Sequence, residues 1–150
     1  MSNVRRHPQT PMTYDETQAQ WDSYLRRKRL ERLSEATLLW SALVGAGVTE
    51  ETVLALDFVH FCAKEEEAKS LAEQLSENYH AEASEPGSDG YCLVKGTTRP
   101  YGITLTEVTH GNWVEFMCDV SQSHGGVFST WSIEAPKLGV KLSSENYEAP

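Results

Sequence analysis

The residues with the most chemical capacity in this 150-residue chain are His60 and Cys62, which flank Phe61. On a strand, residues two apart project from one face, so the imidazole and the thiol would sit side by side. Cys92 falls on the strand expected to neighbour them, and a three-ligand zinc site can be drawn from His60, Cys62 and Cys92. The competing reading is that all three fill space in a core, and it is preferred because no C-x-x-C spacing accompanies them. Cys118 with His110 or His124 would make a thiol–imidazole pair, yet no orienting group or oxyanion donor can be assigned to it. Adjacent carboxylates such as Glu65 and Glu66 diverge on a helix, which makes them solvated charge rather than an acid–base couple. The phosphate-binding and dinucleotide glycine patterns are absent, as is a G-x-S-x-G nucleophile turn. No catalytic residue, metal or cofactor is therefore expected, and the chain reads as a binding protein.

Two features carry binding chemistry. Glu66, Glu73 and Glu77 recur at spacings of seven and four, so they form one stripe of a helix beside its apolar side. Glu65, Glu67, Glu82, Glu85 and Asp89 add to that acidic region, which is either a solvated face or a patch that meets arginines on a partner. The second feature is Gly125-Gly126 followed by Phe128 and Trp131. Large aromatics there can pack a helix end against a sheet or stand at an edge as binding anchors. Core packing is preferred for Trp131; Phe128 has the opposite strand parity and is left open. The candidate partner-binding residues are thus Glu66, Glu73, Glu77, Glu82, Phe128 and Trp131.

Charge narrows the choice of partner. Residues 1–33 carry seven basic and four acidic groups, and residues 34–150 carry six basic and eighteen acidic ones, balances of +3 and −12 that make the net −9. A body this acidic repels nucleic acid and favours a basic protein surface, chiefly by steering the encounter. The run Arg26-Arg27-Lys28-Arg29 reads as a solvated helix face, with a contact for nucleic acid or membrane as the lesser alternative. Three cysteines, odd in number and without paired spacing, suit a reducing compartment. No apolar run reaches the roughly 18 residues of a membrane span, and the start of the chain lacks the apolar core of a signal peptide. A cytoplasmic protein is expected.

The positioning elements follow from periodicity. Residues 1–13 read as a disordered leader. A helix is predicted from about Asp15 to Ala46, with Leu30, Leu33, Thr37, Trp40 and Val44 as its apolar stripe, Ala36 and Leu43 beside it, and Gly45-Ala46-Gly47 as its stop. Its polar portion, Trp21 to Arg29, is expected to project beyond the core. Val53 to Ala63 alternates with both sets largely apolar, the pattern of a central strand covered in part on both faces. A helix over Glu65–Glu77 buries Ala68, Leu71, Ala72 and Leu75. A strand over His80–Ser84, a turn at Pro86–Gly90 and a strand from Tyr91 make a hairpin. A helix over about Thr106–His124, with Trp113, Phe116, Met117 and Val120 inward, and a last strand over Val127–Ile133 complete the order. Residues 136–150 are predicted to be a loose tail, so that 14–135 form a single domain. Two strand–helix units joined by a hairpin make a split βαβ plan, which predicts a four-stranded antiparallel sheet of order 4-1-3-2.

The leading helix, Val59-His60-Phe61 in the first strand, the Glu-rich helix through Leu71 and Leu75, the acidic turn before Tyr91 and the closing glycine pair with its aromatics together resemble one family, the regulator of ribonuclease E activity B. The resemblance covers about Leu30 to Ala135. Phe128-Ser129-Thr130-Trp131 stands where that family usually has Tyr-Asp-Gly-Trp. The resemblance implies an α+β, ferredoxin-like sandwich with an extra N-terminal helix. It also implies a small acidic cytoplasmic protein that binds an endoribonuclease and dampens RNA cleavage without chemistry of its own. An immunity protein that neutralises a toxic effector is the alternative, because a small acidic domain suits that task equally well.

Overall fold

A computed structural model describes residues 13–148. Helix α1 (Tyr14–Gly45) leads into strand β1 (Ala55–Cys62), helix α2 (Glu65–Leu75), strands β2 (His80–Ala83) and β3 (Cys92–Thr97), helix α3 (Glu107–Ser123), and strands β4 (Gly126–Ala135) and β5 (Val140–Ser143). The strands form one antiparallel sheet in the order β2-β3-β1-β4-β5. The inner order β4-β1-β3-β2 is the one expected from the sequence. The sheet, however, has five strands rather than four.

The fifth strand corrects the reading of residues 136–150 as a loose tail. After β4 the chain turns through Pro136–Leu138 and Gly139, which takes a φ of +65° where a side chain would be strained. Val140–Ser143 then pairs with Ser132–Ala135, capping an edge of β4 that would otherwise expose unpaired backbone groups. A short turn at Ser144–Tyr147 follows, and its fully buried Ser144 accepts the Trp131 backbone N–H at 3.1 Å. The expected disordered leader lies outside the described residues except for Thr13. That residue caps α1 reciprocally with Glu16: its hydroxyl accepts the Glu16 N–H at 3.1 Å.

Helix α2 packs on β2 and β3, α3 packs on β4, and α1 lies along α3 and reaches β4 and β5. The core-facing side of β1 (Leu56, Phe58, His60 and Cys62) joins the buried stripe of α2, which is Ala68, Leu71, Ala72 and Leu75 as expected. The opposite side of β1 carries half-buried Asp57 and Val59 and the 41%-exposed Phe61, so it is covered only in part, by the Arg99 loop near one end and the first turns of α1 near the other.

Two helix stripes also differ from their predicted sets. On α1 the buried residues are Leu25, Arg32, Glu35, Ala36, Leu39, Trp40 and Leu43, whereas Leu30 and Val44 are exposed. A buried ion pair, invisible to an apolar count, rotates the inward face. On α3, Phe116 is exposed, and His110, Val114, Cys118 and Ser121 share the inner face with Met117 and Val120. The portion predicted to project, Trp21 to Arg29, does so only in part: the ten residues of α1 before Tyr24 contain no buried side chain, but Leu25 is buried and Arg29 pairs with Glu115 and Asp119 of α3.

Candidate binding surface

The His/Cys constellation is assembled by the fold, and its surroundings decide its role. Cys62 and Cys92 are directly opposed across β1 and β3, with His60 on the same face. All three cysteines are free and buried. Burial pushes the Cys62 thiol up to about 11 and raises that of Cys92, so neither offers a thiolate near neutrality. The His60 ring is wedged among aromatics, 5.7 Å from Phe58 and 4.9 Å from Phe128, and burial pulls its pKa down to about 3. Neither of its nitrogens has a hydrogen-bond partner among the described residues. Among those residues no three His, Cys, Asp or Glu side chains are grouped to hold a metal ion.

The second thiol–imidazole idea fails on geometry. His110 lies eight residues before Cys118 on α3, about 12 Å along the axis. Its Nε2 accepts the Trp131 indole N–H at 3.1 Å, which leaves the proton on Nδ1, and burial lowers its pKa to about 4. His124 Nε2 instead lies 2.6 Å from Gln74 Oε1 on α2. Burial pushes Cys118 up to about 11.

The aromatic pair is brought together by a backbone irregularity that parity counting cannot see. In the β1–β4 ladder, Val59 pairs with Thr130 but His60 pairs with Phe128, so Ser129 is an extra residue in β4. This bulge turns Phe128 and Trp131 to the same face, where their rings stack with centroids 5.3 Å apart. Both are at most 2% exposed. They are core, which corrects their selection as surface anchors. The Ser129 carbonyl accepts the Arg32 guanidinium, and Arg32 Nε also lies 3.2 Å from Glu35 Oε1. That contact is electrostatic only, because the N–H does not point at the oxygen. Burial outweighs Arg32 and lifts Glu35 to about 7.

Much of the basic run is committed within the chain. Arg29 pairs with Glu115 at 3.3 Å and with Asp119, Lys28 pairs with Glu31 at 3.2 Å, and Arg27 lies over the Tyr24 ring at 5.4 Å. Arg32, Glu35 and the bulge escaped sequence reading because buried charges look like surface ones until a partner element is placed over them.

The acidic stripe is where it was expected. Glu66, Glu73 and Glu77 are all exposed and make no ion pair among the described residues, whereas Glu65 pairs with Lys69 at 3.5 Å. Helix α2 ends at Leu75, so Glu77 stands just past its C-terminus. Glu82 is not part of this surface. Ala81 and Ala83 face the helices, and Glu82 lies with His80 on the open side of the sheet. There it borders a shallow concavity of about 440 Å³ crossed by the row His80, Thr97, Asp57, Ser132 and Ser143. Arg99 leans over that face from the loop after β3, bonding Asp57 at 3.4 Å and Glu134 at 2.5 Å. No protein-family model matches the chain, and no curated protein sequence matches it. No helix among the described residues is long and apolar enough to cross a membrane.

Proposed function

We propose that the chain is a protein-binding regulator with a ferredoxin-like core, and that it restrains a ribonuclease of the ribonuclease E kind by engaging a basic surface of that enzyme. One observation carries this reading: α2 and the residues just past its C-terminus present exposed carboxylates with little compensating charge. Residues 64–77 hold five acidic side chains against Lys64 and Lys69, and Glu66, Glu73 and Glu77 are free of ion pairs among the described residues. Exposed pairs formed there with partner arginines would contribute about 0.2–1 kcal/mol each and more to the association rate. The resemblance to the regulator of ribonuclease E activity B family supplies the ribonuclease, and the order β4-β1-β3-β2 with helices after β1 and β3 supports the ferredoxin-like assignment. Three buried free cysteines support a reducing, cytoplasmic setting.

The test is copurification of the tagged protein from its native cell, followed by association kinetics with the captured ribonuclease. The triple change E66K/E73K/E77K should slow association about tenfold or more at low salt without altering the fold. Recovery of no ribonuclease or RNA-degradation component counts against the reading. Recovery of a toxin in its place would establish the immunity alternative.

A further inference from the structure

A second surface, at the other end of β1 from the Arg99 loop, has a different chemistry. The projecting first turns of α1 stand over the ends of β1 and β4 and the β2–β3 loop, enclosing a groove of about 780 Å³. Its walls are Trp21, Tyr24, Phe61 and Tyr91, with Asp89 as the one charged lining residue. Trp21, Phe61 and Tyr91 are 39%, 41% and 51% exposed. Exposed aromatics gathered in a concavity mark a binding site more often than they mark incomplete burial.

The electrostatics select a cation. Asp89 sits at the rim with Oδ1 accepting the Tyr91 N–H at 3.0 Å, and the same loop carries Glu85. The Glu67 carboxylate, in the first turn of α2, lies against Gly125, which lines the groove. One ring already shows the mode of recognition: Arg27 and Lys28 lie over Tyr24 at 5.4 and 5.6 Å. Trp21 stacks on Tyr24, with centroids 5.5 Å apart, and lines the same groove as Phe61 and Tyr91. A planar guanidinium can stack on such a ring while pairing with a carboxylate, which an ammonium does less well.

We propose that this groove docks a linear segment of a partner protein by an arginine side chain, stacked on the Trp21, Phe61 and Tyr91 aromatics and paired with Asp89. This surface is distinct from the exposed stripe of α2, so the proposal stands whether or not the partner is a ribonuclease.

The probe is a synthetic library of nine-residue peptides with arginine fixed at the centre and the flanks randomised, compared with the same library bearing neutral citrulline. The arginine library should be captured preferentially. By fluorescence anisotropy, Trp21→Ala and Tyr91→Ala should each weaken the captured peptides about tenfold or more. Asp89→Asn keeps an acceptor for the Tyr91 N–H but should weaken binding several-fold and flatten its salt dependence. Tyr101→Ala, at a 78%-exposed tyrosine outside the groove, should change nothing. Thermal unfolding by circular dichroism identifies variants that fold as the parent does. Equal capture of the citrulline library overturns the proposal, and so does full affinity in any two correctly folded groove variants.

Discussion

Replacing His60 with leucine should both stabilise the protein and remove much of its sensitivity to acid. Two separate effects contribute. At neutral pH the wild-type ring buries two nitrogens without partners among the described residues, and an unsatisfied buried polar group costs about 1–3 kcal/mol. Leucine fills a similar space against Phe58 and Phe128 without that cost. Below neutrality, linkage adds a pH-dependent term. His60 titrates at about 3 when folded and at 6.5 when unfolded, so between those values only the unfolded chain takes up the proton. Stability then falls by about 1.4 kcal/mol for each unit of pH lost below 6.5. His110, at about 4 when folded, adds a second slope of the same sign over most of this window.

Glu35 acts in the opposite sense. Its pKa rises from 4.5 to about 7 on folding, so the native state holds a proton that the unfolded state has released, and stability declines as pH rises through that interval. Its side chain is only 3% exposed but lies among Arg32, Glu148, Glu31 and Lys28 close to solvent, so its slope is at most that of one histidine. The wild type should therefore lose about 2 kcal/mol between pH 6.5 and about pH 5, the balance of two histidines against one carboxylate. His60→Leu should be nearly flat over the same range, and Glu35→Gln should lose about 4 kcal/mol. Urea denaturation at constant ionic strength, in steps across this window, measures all three curves. A His60→Leu curve parallel to that of the wild type would refute the reasoning, since it would mean that the ring takes up its proton equally well in both states.

Other perturbations test the packing directly. Gly96→Ala places a Cβ 2.3 and 2.5 Å from two atoms of the buried Phe58 ring, so it should destabilise by about 1–3 kcal/mol, read as a lower urea midpoint. Ser144→Ala leaves the buried Trp131 N–H without its acceptor and should cost about 1–3 kcal/mol, measured in the same way. An unchanged midpoint would show that the C-terminal turn is not part of the cooperative unit. Cys62, Cys92 and Cys118 are buried with thiol pKa values raised, so Ellman's reagent near neutral pH should label none of them in the folded protein within minutes and all three in urea.

The chain's local chemistry determined the elements and their order. Glycine and proline punctuate the segments, the Thr13 and Thr106 caps start two helices, and the period of Ala68, Leu71, Ala72 and Leu75 marks the inner side of α2. With two strand–helix units joined by one hairpin, the inner sheet order followed. The exposed stripe of Glu66, Glu73 and Glu77 was legible for the same reason, because the periodicity that buries one side of a helix exposes the other. Tertiary structure decided what depends on contact between distant segments. The Ser129 bulge exists only in the ladder with β1, and it overrides the alternation that separates Phe128 from Trp131 in the sequence. Arg32 and Glu35 become interior residues because the β4 bulge supplies a carbonyl and a buried setting around them. Strand β5 is four residues long and too short to declare itself; it forms because β4 offers it an edge. The aromatic groove depends on α1 running past the end of the sheet, so its four rings, scattered from Trp21 to Tyr91, have no common signal along the chain.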